Sequence, residues 1–296
     1  DIYNFIKKDL IIELNKLHGK NYSSRFWGII FGYWLIHFIG ICAERYMRFN
    51  EITKDNRIDK IFLRGNNEFN FSSKDTFGLN INSIDDDWEN NFFSAMINFF
   101  EYDFQILNNN SNTVGYTGSF FDYSNSKNKK SGGIKNIFDK ILNFNYSKKA
   151  LITDTYLPKK YEFLLQLLFF QTPSHYNLRE ISYKNINNQL RKKITLIKDK
   201  EKNLENFIRL IIPKCLPLSI VENFSDIYKD CENARFPKEP KLIFTSLSYA
   251  YDEYFKFYTA KKVENGVPYF IGQHGNEYFT HNFSNKIEFE TSDKFI

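Results

Sequence analysis

Apolar residues near the start of the chain recur at helical spacing and predict two successive helices. Between residues 4 and 17 they stand three or four positions apart, as on one face of a helix. His18-Gly19 then predicts the end of this helix, because glycine accepts the left-handed conformation of a C-terminal cap. The second helix, residues 26–43, is apolar almost throughout, and its length of about 27 Å approaches the thickness of a bilayer core. His37 and three glycines favour a buried core helix, and a membrane span stays open as the alternative.

The last quarter of the chain alternates between strand-like and helix-like segments. Residues 241–245 are apolar and β-like, residues 249–264 have helical composition, and residues 267–271 form a second apolar run. Two strands that are joined through a helix by short connections pair in parallel. Residues 149–155 predict a further strand with a polar end. The predicted fold class is therefore α/β, with a Rossmann-like parallel sheet flanked by helices and a helix-rich region over residues 1–50.

Three other segments have weaker patterns. The acids at 85–87 predict the start of a helix that runs to about residue 104, where they suit the helix dipole. Residues 108–133 are rich in Asn, Ser, Gly and Lys and predict a long surface loop. Residues 204–228 are typical of helix, with breaks expected near Pro213 and Pro217.

Composition and charge exclude several functional classes. The chain has 296 residues, of which 42% are hydrophobic and 25% charged, so wholesale disorder is ruled out. The net charge of +5 is spread along the sequence, whereas nucleic-acid binders concentrate basic residues in a stripe. We therefore expect no nucleic-acid partner. The basic residues at 184–202 are interrupted by apolar ones, which favours a solvated surface over a phosphate-binding groove.

Cysteine usage and missing motifs narrow the chemistry further. Cys42, Cys215 and Cys231 are too far apart for a zinc motif or a disulfide framework, which favours a reducing, cytoplasmic compartment. The glycine fingerprint of dinucleotide-binding folds is absent from the sequence. We therefore expect no bound cofactor.

Reactive groups are expected where parallel strands end, because ligands bind at the carboxyl edge of open sheets. Asp154 and Ser246 follow two of the predicted strands, and residues 272–275 (Gly-Gln-His-Gly) follow the third. The two glycines allow positive φ and close approach of a ligand to the backbone. Imidazole suits proton transfer near neutral pH, and a positioned general base accelerates a reaction about 100- to 10,000-fold. A structural histidine in a tight turn is the alternative for His274.

Two acidic residues precede this turn. Asp252 and Glu253 open the helix before it and would lie on the same edge of the sheet, where either could orient His274 or bind a sugar hydroxyl. The alternative is an acidic first turn that suits the helix dipole. His274, Glu277 and His281 lack the spacing of a known metal motif, so we expect no metal.

Two blocks at opposite ends of the chain carry a family resemblance. The first comprises residues 14–18 (Leu-Asn-Lys-Leu-His), 21–23 (Asn-Tyr-Ser), 25–27 (Arg-Phe-Trp), 34–35 (Trp-Leu) and 44–46 (Glu-Arg-Tyr). The second comprises residues 245–246 (Thr-Ser), 251–253 (Tyr-Asp-Glu), 255–256 (Phe-Lys), Ala260, 262–263 (Lys-Val), Gly266, Pro268 and 271–275 (Ile-Gly-Gln-His-Gly). Together they resemble a bacterial family of surface-polysaccharide transferases from O-antigen-type gene clusters, whereas residues 50–236 match it only in character.

The resemblance implies a GT-B-like glycosyltransferase, in which residues 1–296 would form a single acceptor-side domain. By analogy with such enzymes, His274 would deprotonate an acceptor hydroxyl as it attacks a nucleotide-activated sugar donor. The candidate substrate contacts, from the sheet edge and the two blocks, are Gln273, Gly275, Asn276, Asp252, Glu253, Ser246, Asp154, Tyr22 and Arg25. A structural role in binding the two blocks together is the alternative for Tyr22 and Arg25.

Two departures from the family pattern bear on activity. Family members run well beyond residue 296, so we expect the donor-binding domain to be absent and this chain alone not to turn over. They also continue the His-Gly element with a second Gly and a Tyr-Gly pair, whereas Asn-Glu-Tyr-Phe stands at 276–279, which indicates a different acceptor or lost activity.

The expected partners and location follow from the same resemblance. The acceptor would be a saccharide or a lipid-linked saccharide, and the protein would be cytoplasmic with peripheral contact to the inner membrane as an open option. The alternatives are a non-catalytic saccharide-binding or assembly module and a membrane-associated scaffold that residues 26–43 would anchor.

Overall fold

The chain divides into two compact units. The computed structural model describes residues 2–54, 63–65, 69–101, 106–108, 149–171, 173, 176, 179–234, 236–275, 278 and 286–296. Unit 1 consists of Asp1–Asn21, Trp34–Ser119 and Tyr183–Glu222, and unit 2 consists of Tyr22–Tyr33, Phe120–Ser182 and Asn223–Ile296. The expectation of a single acceptor-side domain without a donor-binding domain stays a prediction.

Both N-terminal helices that the apolar pattern predicts are present, but the second runs to Thr53, ten residues beyond its expected end at 43. Helix α1 (Ile2–His18) buries Tyr3, Ile6, Leu10 and Leu14 on one face, and Gly19 follows it with a φ of +61°. Helix α2 (Ser24–Thr53) begins in unit 2 and continues into unit 1. It is long and apolar enough to cross a membrane, but 72% of its most hydropathic window is buried inside the protein. Core helices of soluble proteins share these properties, so the helix is weak evidence for a membrane span.

The described residues of unit 1 also form a small sheet and four further helices. Strand β1 (Leu63–Gly65) pairs in parallel with β2 (Ile106–Asn108). The helices are α3 (Gly78–Asn82), α4 (Asp86–Phe100), α6 (Asn188–Arg191) and α7 (Leu204–Cys215). Asp85 caps α4 by accepting a hydrogen bond of 2.8 Å from the Trp88 amide, as an acidic N-terminus should. Residues 109–133 of the predicted surface loop lie outside the described residues.

Two expectations about helix ends in unit 1 are wrong. Helix α4 ends at Phe100 rather than near residue 104, because Glu101 adopts a left-handed conformation with a φ of 59° and caps the helix. Pro213 lies inside α7 rather than at a break. Proline costs a helix one backbone hydrogen bond, and α7 tolerates that loss close to its C-terminus at Cys215.

The basic stretch at 184–202 is mostly solvated, as expected. All of its lysines are exposed. Arg191 is the exception, because it is buried and makes paired hydrogen bonds of 2.7 Å to the two carboxylate oxygens of Glu222. It also donates to the Pro213 and Leu216 carbonyls, at 3.0 and 2.8 Å. A guanidinium with this many internal partners holds the fold of unit 1 together.

Unit 2 contains a four-stranded parallel sheet in the order β3-β4-β5-β6. The strands are β3 (Ala150–Thr153), β4 (Leu242–Thr245), β5 (Tyr269–Ile271) and β6 (Lys294–Phe295), and the helices are α5 (Lys159–Leu168), α8 (Phe224–Asp230), α9 (Ser248–Tyr251), α10 (Glu253–Glu264) and α11 (Lys286–Thr291). Helices α9 and α10 connect β4 to β5, which pair in parallel with Ile243 opposite Tyr269. This arrangement confirms the predicted α/β fold with its Rossmann-like parallel sheet and helix-rich N-terminal region.

Candidate functional site

The carboxyl ends of the strands in unit 2 bring several predicted residues to one edge of the sheet. Main-chain hydrogen bonds join them: the Ser246 amide donates to the Asp154 carbonyl at 2.8 Å, and the Gly272 amide donates to the Thr245 carbonyl at 2.8 Å. The Gln273 amide donates to the carbonyl of Ile296 at 2.7 Å, just beyond β6. Parallel strands place their carboxyl ends together, so residues that are far apart in sequence become neighbours here.

The two glycines around Gln273-His274 serve different purposes. A Cβ at Gly272 would lie 2.6 Å from Ser246 Oγ and 3.0 Å from two ring carbons of Phe244, so this position requires glycine for close packing. A Cβ at Gly275 would meet no atom of the described residues within 4 Å, but the φ of +75° favours glycine for its conformation. Close packing at Gly272 and the left-handed backbone conformation at Gly275 therefore fix the two ends of the turn that carries His274.

His274 is held by tyrosines and stays partly accessible. Its Nε2 lies 2.7 Å from Tyr249 Oη, and its backbone amide donates to Tyr278 Oη at 3.1 Å. The rings of Tyr278 and Tyr156 lie 5.6 and 6.2 Å from the imidazole between centroids. The side chain of His274 is 30% exposed. The imidazole is thus oriented by the protein and also reachable from solvent.

A buried carboxylate stands behind the histidine. Tyr249 Oη donates to Glu288 Oε1 at 2.7 Å, and that oxygen lies 3.5 Å from His274 Nε2. Tyr249 and Glu288 are only 3% and 2% exposed. Burial, and then the charge of Glu288, raise the pKa of Tyr249 far above its ordinary value, so the phenol stays protonated. Burial and the same carboxylate raise the pKa of Tyr33 to about 12.

Arg25 contacts the segment that follows Glu288. Its Nε donates to the Thr291 carbonyl at 2.9 Å, and one of its terminal nitrogens lies 2.8 Å from Asp293 Oδ2. Hydrogen bonding to Arg25 is the main cause that holds the pKa of Asp293 below its ordinary value. Arg25 therefore joins the start of α2 to the end of α11. This contact fits the structural role that the sequence analysis gives as the alternative to substrate binding.

Tyr22 packs against other aromatic side chains near the start of α2. Its ring stacks on Phe26 with centroids 3.9 Å apart and lies 5.7 Å from the ring of Tyr228. Burial, and then the neighbouring Tyr228, raise the pKa of its phenol well above the ordinary value. These contacts tie the beginning of α2 to α8.

Asp154 sits at a strained corner beyond β3. It is exposed, with a φ of 48°, and Tyr156 two residues later has a φ of 57°. Its Oδ2 accepts hydrogen bonds from Ser248 Oγ at 2.6 Å and from Tyr251 Oη. Positive φ in two non-glycine residues this close together is costly, and such strain is often found at binding sites. Asp154 is therefore a well-positioned carboxylate at the accessible edge.

Asp252 and Glu253 have local partners in α10. Asp252 caps the helix by accepting from the Phe255 amide at 3.0 Å, and burial, followed by repulsion from Asp154, raises its pKa to about 7. Glu253 is buried and lies 2.5 Å from Lys256 Nζ. Among the described residues no hydrogen bond or ion pair joins either carboxylate to His274.

The remaining predicted residues divide between described and undescribed positions. Ser246 is buried and donates from Oγ to the Thr155 carbonyl at 3.1 Å, so its side chain supports the edge from within. The exposed Gln273 donates from Nε2 to the Gly275 carbonyl at 3.1 Å. Asn276, Glu277 and His281 lie outside the described residues. Within the described ranges no group of three or more His, Cys, Asp or Glu residues could hold a metal ion.

Sequence reasoning missed the residues behind His274. Tyr249 follows β4 by four positions and so lies in the short connection where site residues gather, which is a usable signal. Glu288 carries no local signal, because it approaches Tyr249 only through tertiary packing. Tyr278, four residues after His274, is likewise recognised only through its contact with the His274 amide.

A cavity of about 780 Å³ lies in unit 1. Its lining includes Ile194, Leu196, Arg191 and Arg209. The two guanidinium groups are already engaged, since Arg191 pairs with Glu222 and Arg209 lies 2.6 Å from Asp9 Oδ2. With its arginines neutralised in this way, the cavity offers less chemistry than the edge around His274.

Comparison of the chain with known proteins and protein families shows to which family it belongs. No curated protein and no solved structure is significantly similar to this chain. The model of a family described as LIC12162 family transferase matches residues 1–296. A match over the whole chain shows membership, and the transferase class that the sequence resemblance implies is thereby confirmed. The chain belongs to the LIC12162 family of transferases.

Proposed function

We propose that this transferase moves a glycosyl group from a nucleotide-activated donor to a hydroxyl of a saccharide acceptor, with His274 as general base. One observation carries the proposal: His274 stands on a glycine-bounded turn at the carboxyl edge of the sheet, 30% exposed, with Nε2 held by buried Tyr249. A fixed and accessible imidazole is what proton abstraction from a hydroxyl requires.

The proposed step balances as a simple displacement. The acceptor oxygen attacks the anomeric carbon of the donor while its proton passes to His274. The bond between that carbon and the diphosphate oxygen breaks, and its electron pair leaves with the nucleoside diphosphate. Exposed Asp154, with Ser248 and Tyr251 bound to its carboxylate, lies at the same edge of the sheet and is the proposed contact for an acceptor hydroxyl.

The biological setting is part of the same proposal. The resemblance described above supports surface-polysaccharide synthesis, a GT-B-like arrangement and donor binding by a further domain. A cytoplasmic location, with a saccharide or lipid-linked saccharide as acceptor and peripheral contact to the inner membrane, is consistent with that chemistry.

The proposal is tested with a panel of nucleotide-linked sugars and oligosaccharide acceptors. Release of nucleoside diphosphate and formation of the glycoside are measured together for the full-length protein. We expect His274→Ala to lower the rate about 100- to 10,000-fold at unchanged melting temperature, as for loss of a general base. His37→Ala, which removes an exposed histidine from α2, is the matched control and should keep the rate.

Either of two results contradicts the proposal. An unchanged rate in His274→Ala would exclude its role as base. Saccharide binding without any transfer by the full-length wild-type protein would instead favour a non-catalytic saccharide-binding module.

A further inference from the structure

We infer that Tyr249 and Glu288 are positioning residues that fix the tautomer of His274 and balance the charge it acquires. The inference rests on the proposed function, because it assigns how the same histidine is prepared to accept a proton. It draws on three elements of unit 2, namely α9, the turn after β5, and α11.

The protons of the three side chains can be counted. The Tyr249 phenol carries one proton, and it donates that proton to Glu288 Oε1 at 2.7 Å. The phenol oxygen can then only accept from His274 Nε2, at 2.7 Å, so Nε2 must carry a hydrogen. In a neutral imidazole this leaves the lone pair on Nδ1. The acceptor hydroxyl would therefore give its proton to Nδ1.

The carboxylate is placed to favour the charged ring. When Nδ1 takes up a proton, the imidazolium keeps its Nε2 hydrogen on Tyr249, and Glu288 Oε1 lies 3.5 Å from that nitrogen. The other oxygen, Oε2, is buried and has no hydrogen-bond partner among the described residues, so its charge is not dispersed by other donors. Attraction between opposite charges is strong in such a poorly solvated place.

Neither positioning residue changes its own protonation. The proton moves from the acceptor hydroxyl to Nδ1, while Tyr249 keeps its phenol proton and Glu288 stays ionised, as the buried carboxylate does behind a catalytic histidine in serine proteases. Ser292 closes the last turn of α11 by donating from its amide and its Oγ to the Glu288 carbonyl, at 3.2 and 2.5 Å, and Arg25 Nε joins the end of this helix to α2 through the Thr291 carbonyl, at 2.9 Å.

The test compares isosteric variants with matched controls. Tyr249→Phe removes the bridging hydroxyl, and Glu288→Gln removes the charge. Tyr258→Phe is the control for the first, since Tyr258 is also buried and donates a 2.6 Å hydrogen bond to the Pro237 carbonyl. Glu290→Gln is the control for the second, since Glu290 lies on α11 but pairs with Lys286 at 3.6 Å.

Two readouts are taken on each full-length protein. One is the pH titration of the His274 ring signals by NMR, assigned with His274→Ala, and the other is the dependence of kcat and KM on pH. Because loss of the carboxylate charge removes the attraction to the charged ring, we expect Glu288→Gln to move the midpoint of the His274 signals to lower pH and to lower kcat about 10- to 100-fold with little change in KM. Tyr249→Phe should lower the His274 midpoint and kcat in the same way, and the two control variants should change neither quantity.

The outcomes separate this inference from the proposed function. Midpoints that are unchanged in both folded variants would overturn the inference, even where His274→Ala abolishes transfer. Shifted midpoints in a protein that transfers no sugar would leave the positioning role intact and remove the proposed function. If Glu288→Gln does not fold, the inference is tested by the His274 midpoint in Tyr249→Phe, and an unchanged midpoint there would overturn it.

Discussion

Replacement of Gly272 by alanine tests whether the turn that carries His274 is held by packing. The new Cβ would lie 2.6 Å from Ser246 Oγ and 3.0 Å from two carbons of the Phe244 ring. Neither neighbour can yield easily, because Ser246 is buried and its Oγ donates to the Thr155 carbonyl. We expect the substitution to overpack the sheet edge and to displace the turn.

Three contributions determine how much the substitution lowers the free energy of unfolding. Overpacking costs about 1 to 3 kcal/mol. Loss of the Ser246 hydrogen bond as the hydroxyl turns away costs about 1 kcal/mol. Alanine restricts the unfolded chain and returns about 0.4 to 1 kcal/mol. The net loss in the free energy of unfolding is about 2 kcal/mol, which lowers Tm by roughly 4 to 8 °C for a protein of this size class.

Calorimetry of five variants, namely Gly272→Ala, Gly275→Ala, Gly40→Ala, Ser246→Ala and the double variant Gly272→Ala/Ser246→Ala, separates the effect of packing from that of backbone conformation. Gly275→Ala meets no atom of the described residues within 4 Å and bears the strain of a φ of +75°, so its Tm should fall by less. Gly40→Ala lies in α2 with open space and ordinary φ, so its Tm should rise slightly. The double variant Gly272→Ala/Ser246→Ala should lose less stability than the sum of the losses in the two single variants. Alanine at 246 has no Oγ, so the closest contact of the new Cβ at 272 is removed.

A Tm of Gly272→Ala equal to that of the wild-type protein, or a larger fall in Tm for Gly275→Ala than for Gly272→Ala, would show that packing at Gly272 does not hold the turn. The transfer rate is a second check, since displacement of the turn moves His274 away from Tyr249.

Two further predictions concern ion pairs and titration in unit 2. Asp252→Asn keeps a capping side chain but cannot ionise. Because the pKa of Asp252 is raised from 3.8 to about 7, the wild-type protein loses up to about 4 kcal/mol of stability as pH rises through that window, so the Tm of the variant relative to wild type should increase between pH 5 and 8. Equal slopes in the two proteins would refute this. Arg25→Met should lower the free energy of unfolding by about 1 to 2 kcal/mol at pH 7. Because Arg25 holds the pKa of Asp293 low, part of that deficit should disappear as pH falls below 4, and a constant deficit in thermal melts would contradict the role of the ion pair.

Local periodicity predicted most of the fold. Helix α1 and the strands β3, β4 and β5 lie where the apolar patterns place them, because each pattern is complete within a few residues. The errors lie at the ends of helices, where the conformation of a single residue determines whether the helix continues. Glu101 stops α4 by adopting a left-handed conformation, and Asp252 divides the expected helix 249–264 into α9 and α10 by acting as an N-cap.

The candidate site was only partly predictable, for a physical reason. The rule for parallel sheets identifies Asp154, Ser246 and the turn with His274, because strand ends are visible in the sequence. Glu288 approaches Tyr249 across 39 positions, through the packing of α11, and no periodicity encodes that approach. Composition likewise could not show that Arg25 contacts Thr291 at the end of α11.

The most direct test of the account is the single-turnover transfer rate of His274→Ala, with and without added imidazole. We expect a fall of at least about 100-fold at unchanged Tm, and a partial recovery that grows with the concentration of imidazole free base. A rate close to that of the wild-type protein would show that the histidine at the sheet edge does not accept the proton.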